Sequence, residues 1–118
     1  MTGPGWTMLL CLAGAAGIPG AALAETWVKQ DAAGIHAALD GAVLAYGDGT
    51  SQAFHADGTT LTTGDHASTG AWRVTGDQYC SQWPPSDSWA CYDLELNGTV
   101  VRFTAASGAT SDGQVVTP

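Results

Sequence analysis

Cys80 and Cys91 carry the most definite chemistry in this chain. They stand in the run Tyr79-Cys80-Ser81-Gln82-Trp83-Pro84-Pro85-Ser86-Asp87-Ser88-Trp89-Ala90-Cys91-Tyr92. The two cysteines are symmetric about a Pro-Pro tip, and each sits beside a tyrosine and reaches toward a tryptophan. This arrangement reads as one disulfide stapling a β-hairpin rather than as a pair of reactive thiols. Closing a loop of this length contributes about 3 kcal/mol on the chain-entropy estimate.

The remaining chemistry-bearing residues form no catalytic constellation. His36, His55 and His66 lack the i, i+4 spacing of a helical metal pair. If His55 and His66 met in space, Asp57 or Asp65 would complete a zinc or copper site; otherwise they are three unrelated surface imidazoles. Asp48, Asp57, Asp65 and Asp77 each neighbour a glycine, where Asp is favoured for its local hydrogen bonds to backbone. Gly47-Asp48-Gly49-Thr50 lacks the ligand series of a calcium loop. There is no Gly-x-Ser-x-Gly nucleophile turn and no glycine-rich phosphate loop. The sequence therefore points away from an enzyme and implies no cofactor.

Aromatic residues are the best binding candidates. Trp83 and Trp89 flank the stiff Pro84-Pro85 tip, which would lose little entropy on docking. Tryptophan is also favoured at interface hot spots. The bland alternative packs Trp83 over a barrel mouth and Trp89 over the disulfide. Trp72, Tyr79, Tyr92 and Phe103 are candidates to line an interior that takes a small apolar ligand, or simply to fill it.

These residues need a framework. The chain has 118 residues and a formal charge of −8, with only three Lys and Arg. That balance disfavours nucleic acid and anionic membranes as partners. Residues 1–24 read as a secretory signal. Leu9, Leu10, Cys11 and Leu12 open a short apolar core, and Ala22-Leu23-Ala24 forms a small-x-small cleavage site before Glu25. Gly14, Gly17, Pro19 and Gly20 interrupt the run, which makes it a poor membrane span, and no stable membrane insertion is expected after cleavage. Residues 25–118 then form one domain with a periplasmic or secreted location.

Residues 25–39 are the one helix candidate, with Asp31 as cap and Gly41 as terminator. Beyond it, strands are predicted at 42–46, 51–56, 59–63, 69–75, 78–83, 88–96, 99–105 and, weakly, 114–117. Asp57-Gly58 and Asn97-Gly98 read as two-residue hairpin turns, and the Asn97-Gly98-Thr99 sequon is read as part of that turn. Three registers follow. Gly76-Asp77 sets Val74 against Tyr79 and Arg73 against Cys80. The disulfide sets Tyr79 against Tyr92 and Trp83 against Ser88. Asn97-Gly98 sets Leu94 against Val101, Tyr92 against Phe103 and Asp93 against Arg102. Together they put Trp72, Val74, Tyr79, Tyr92, Leu94, Val101 and Phe103 on one face. Arg73, the disulfide, Asp93, Glu95 and Arg102 fall on the other.

Consecutive hairpins with one apolar face predict an all-β fold with one short N-terminal helix. The expected architecture is a small up-and-down antiparallel meander curled into a barrel or half-barrel, with the helix plugging one end. Gly70-Ala71-Trp72-Arg73-Val74, Tyr79-Cys80-Ser81-Gln82-Trp83-Pro84-Pro85, Trp89-Ala90-Cys91-Tyr92 and Val101-Arg102-Phe103 resemble small exported bacterial proteins of unknown function. The architecture is also similar to lipocalin- and streptavidin-like barrels, and to periplasmic inhibitors of secreted metalloproteases. The start Glu25-Thr26-Trp27-Val28 differs from the Ser-rich start of those inhibitors. The resemblance implies fold and compartment only; the residues themselves read as an exported non-enzymatic protein binding a small apolar molecule or an envelope protein. An inhibitor-like interaction module and a metal-binding periplasmic protein are the alternatives.

Overall fold

The computed structural model describes residues 26–116. The secretory-type segment and its cleavage site lie outside them. The elements in chain order are β1 (Val28–Lys29), α1 (Ala32–Leu39), β2 (Val43–Tyr46), β3 (Ser51–Phe54), β4 (Thr59–Thr63), β5 (Ser68–Thr75), β6 (Gln78–Gln82), β7 (Ala90–Asn97), β8 (Val100–Ala105) and β9 (Thr110–Val115). From β2 onward each strand pairs antiparallel with the next, and β9 pairs back to β2, so eight strands close into a barrel. The extra strand β1 lies beside the far half of β7, with Val28 opposite Leu96. Closure leaves the eight barrel strands without a free edge.

The helix is shorter than its 25–39 expectation. Asp31 accepts from the Gly34 amide at 2.9 Å and caps the first turn, as an N-cap should. Upstream, Val28 and Lys29 pair with β7 instead. Gly41 follows the helix at φ +76°, the left-handed conformation glycine tolerates best. Ile35 and Leu39 are fully buried, and the helix packs on β5 and β6. Its first amide has no intrahelical acceptor and donates to Asp77 of the β5–β6 turn. The helix thus plugs one end of the barrel.

The apolar face falls as the alternation predicts. Trp72, Tyr79, Leu94, Val101 and Phe103 are buried, and Val74 and Tyr92 pack against them. Arg73 opposes Cys80, Val74 opposes Tyr79 and Tyr79 opposes Tyr92. Cys80 and Cys91 are disulfide-bonded.

Three turns differ from expectation. The β7–β8 hairpin turns on Gly98-Thr99, with Asn97 opposite Val100. Gly98 has φ +60°, as a type II′ turn requires of its first central residue. An Asn97-Gly98 turn of the I′ type would need positive φ at both. The register moves by two residues, so Phe103 faces Leu94 and Arg102 faces Glu95. Arg102 does not pair with Asp93; its guanidinium grips both Asp112 oxygens at 2.8 and 2.9 Å.

The β3–β4 connection holds three residues rather than two. Gly58 donates to the His55 carbonyl, His55 pairs with Thr59, and Gly58 sits at φ +94°. This is a type I turn closed by a left-handed glycine. The same pattern recurs around Gly49 and Gly108. Finally, β6 ends at Gln82 and β7 begins at Ala90, so Trp83 and Ser88 extend no ladder and the tip is longer than residues 84–87. The last strand begins at Thr110, ahead of the predicted 114–117.

Candidate binding pocket at the open end of the barrel

In an up-and-down barrel successive turns alternate between the two ends. The helix and the β3–β4, β5–β6 and β7–β8 turns share the plugged end. The β2–β3, β4–β5, β6–β7 and β8–β9 connections surround the other, and there the barrel opens into a cavity of ≈ 540 Å³.

The cavity is built upward from an aromatic centre. Phe54 packs edge-on against Trp72 and Tyr79, with centroids 5.8 Å away in each case, and stacks on Phe103 at 6.3 Å. Above this layer lies a polar one. The Tyr46 hydroxyl donates to Gln52 Oε1 at 2.7 Å. Gln52 Nε2 donates to Thr60 Oγ1 at 2.9 Å and toward the Tyr79 hydroxyl at 3.4 Å. Thr60 passes its own proton to the Ala53 carbonyl. Every polar atom of the Gln52 amide is therefore engaged, as burial demands. The bare α-carbon of Gly113 makes room for this layer: a Cβ there would stand 3.1 Å from Leu44 Cβ and from Tyr46 Cε1.

Tyr79, Tyr92, Phe103 and Trp83 form the aromatic walls, with Thr62 and Ser81 between them. Thr50, Ser111, Asp48 and Asp112 stand at the rim, the Asp112 carboxylate being held by Arg102. Burial, then the neighbouring Tyr79 and Asp48, push the Tyr46 hydroxyl far above its ordinary pKa. Burial also raises Tyr79, against the opposing hydrogen bonds of Ser81 and Gln52. Both phenols stay neutral near neutral pH and act as hydrogen-bonding groups. The Asp48 carboxyl is held below its usual range by the Thr50 hydroxyl and amide. Asp112 is held down by its hydrogen bonds from Arg102. Both are ionised.

Of the candidates read from sequence, Tyr79, Trp83, Tyr92 and Phe103 come together here. Trp72 lies deeper, 4% exposed, with Nε1 donating to the His55 carbonyl at 2.9 Å. Pro84 and Pro85 are exposed on the tip, joined by a cis peptide bond. Trp83 turns in over Gly70, and Trp89 lies half-buried outside with the Arg73 guanidinium 3.9 Å from its ring centre. His55, at the β3–β4 turn, and His66, in the β4–β5 loop, are at opposite ends of β4. His36 pairs with Asp40 on the helix. Among the described residues no group of three His, Cys, Asp or Glu is placed to hold a metal.

Tyr46, Gln52, Thr62, Ser81 and Ser111 were not expected at a site. Alternation alone gives Gln52, since it shares a face with Phe54. Tyr46 and Ser111 required knowledge that β9 returns to β2. Compared with family models, curated proteins and solved structures, the chain matches none.

Proposed function

We propose that this chain is an exported, non-enzymatic binding protein that holds a small molecule in the open end of its barrel. The observation that carries the reading is the asymmetry of the two ends. Helix α1 fills one with Ile35 and Leu39, while the other keeps a cavity of ≈ 540 Å³ over a fully hydrogen-bonded polar floor. Pockets of this volume, with aromatic walls and a few fixed polar groups, suit small ligands. The lining is mixed, so the fitting ligand combines a ring-sized apolar surface with polar atoms. Export is supported by the secretory-type residues 1–24 and by the Cys80–Cys91 bond, which oxidising compartments preserve. Docking through the Pro84-Pro85 tip has less support, because Trp83 and Trp89 are both half-buried against the barrel.

A panel of soluble ring-containing fragments, screened by two-dimensional NMR, tests the reading. Shifts clustered on Tyr46, Ser81, Trp83 and Tyr92, and abolished by the cavity-filling Thr62→Trp, are expected. A folded protein that shows no shifts, or shifts only on the tip and outer wall, overturns it.

A further inference from the structure

We propose that the occupant of the pocket is a small organic cation, an ammonium group held against the aromatic walls with its charge toward Asp48. This rests on the small-molecule reading above and adds the sign of the ligand's charge.

The first observation is what the walls are made of. Tyr79, Trp83, Tyr92 and Phe103 line one small space; half-buried Trp83 and Tyr92 supply its accessible aromatic surface, backed by Tyr79 and Phe103, 4% and 6% exposed. Tyr79 and Phe103 lie 5.1 Å apart between ring centres, and Tyr92 is 6.0 Å from Tyr79. Aromatic rings carry negative potential on their faces and attract cations that have shed water.

The second observation is where the positive charges of the protein went. No Lys, Arg or His lines the pocket. The chain's three Lys and Arg are Lys29, Arg73 and Arg102, and each is engaged on the outer wall. Arg102 grips Asp112 and lies 3.9 Å from the Trp27 ring centre. Arg73 covers Trp89, and Lys29 approaches Asp93 at 4.0 Å. An anionic ligand would find no Lys or Arg lining the pocket.

The third observation is the direction of the hydrogen bonds. Tyr46 gives its proton inward to Gln52, so its oxygen offers lone pairs to a guest. Both oxygens of Asp112 are spent on Arg102. Asp48 accepts the Thr50 amide and hydroxyl on Oδ1, and its own backbone amide also acts on the carboxylate, but no Lys, Arg or His lines the pocket beside it. Asp65 and His66 border the adjoining cleft beside Asp48, so that cleft adds no net positive charge to the entrance. Acceptors, aromatic walls and a carboxylate with no cationic side chain beside it in the pocket together select a cation over a neutral or anionic molecule of the same shape.

The test compares choline with its uncharged isostere 3,3-dimethylbutan-1-ol, using the folded, disulfide-bonded domain at low salt. Dissociation constants are read from the shifts of the Trp83 indole and the Ser81 amide. Choline is expected to bind roughly tenfold more tightly than the alcohol. Raising salt to a Debye length of about 3 Å should shrink that preference. Asp48→Asn, which keeps the acceptor that Thr50 needs, should weaken choline several-fold and leave the alcohol unchanged. Tyr92→Leu should weaken choline in a variant whose melting temperature shows it folded. Equal binding of choline and the alcohol, or preference for an aromatic carboxylate such as benzoate, overturns the cation inference and leaves the pocket standing. If neither choline, the alcohol nor any ring-containing fragment of the panel shifts the pocket, the small-molecule reading itself fails.

Discussion

The indole of Trp83 lies on the bare α-carbon of Gly70. A Cβ at that position would stand 2.7 Å from Trp83 Cε3 and 2.6 Å from the Gln82 carbonyl oxygen. The ring can swing away, but the carbonyl belongs to the β5–β6 ladder and has no such freedom. Glycine at position 70 thus lets the two strands stay paired beneath the ring that forms one wall of the pocket.

Gly70→Ala is therefore expected to cost about 1–3 kcal/mol, the range for overpacking a fitted site. It should also change the tryptophan emission spectrum of the folded protein and weaken any pocket ligand. Urea titrations of the native and Gly70→Ala proteins measure the first effect, and emission before unfolding the second. Unchanged stability together with unchanged emission would mean that Trp83 does not rest on this strand.

Alkaline pH should unfold the domain through Tyr46 and Tyr79. Their folded pKa values are raised, mainly by burial, above the ordinary 10.0. The unfolded chain therefore releases these protons first, and it binds fewer protons than the folded one at high pH. The stability from keeping the phenols neutral is complete below about 10 and is lost as pH rises beyond it. The urea midpoint should hold level toward that pH and then fall. Tyr46→Phe, which removes the hydrogen bond to Gln52, should start about 1 kcal/mol lower and then fall less steeply. Parallel curves for native, Tyr46→Phe and Tyr79→Phe would show that these hydroxyls are not the groups being titrated.

The β7–β8 turn separates two neighbouring residues. Gly98 occupies φ +60°, so Gly98→Val should destabilise the domain by about 1–2 kcal/mol. Asn97 ends a strand and pairs with Val100, so Asn97→Ala should stay within about 0.5 kcal/mol of native. Thermal melts of the two single variants decide between registers. A loss at Asn97→Ala comparable to that at Gly98→Val would return the turn to Asn97-Gly98, which needs positive φ at both.

Much of this architecture is written locally. Strict alternation assigns Trp72, Val74, Tyr79, Tyr92, Leu94, Val101 and Phe103 to one face, and burial confirms the set. The cysteine pair and the Gly76-Asp77 turn set the β5–β6–β7 registers residue by residue. Asp31 and Gly41 mark the helix ends because caps are made of adjacent atoms. The β7–β8 register was harder to read because a shift of two residues leaves every side chain on its original face. Hydrophobic pattern therefore cannot distinguish Tyr92 from Leu94 as the partner of Phe103, and the choice falls to the backbone of a single glycine.

The pocket belongs to a different level. Tyr46 and Ser111 meet Tyr79 and Phe103 only because β9 closes onto β2, with Gly113 opposite Tyr46. Closure depends on tilt and stagger accumulated around all eight strands, which no short segment encodes. Whether aromatic residues on the inner face fill the barrel or leave it open is a matter of summed volume. Here Ile35 and Leu39 complete the packing at one end, and the gap remains at the other. Alternation tells each side chain which way to point, but only the closed barrel determines what it finds there.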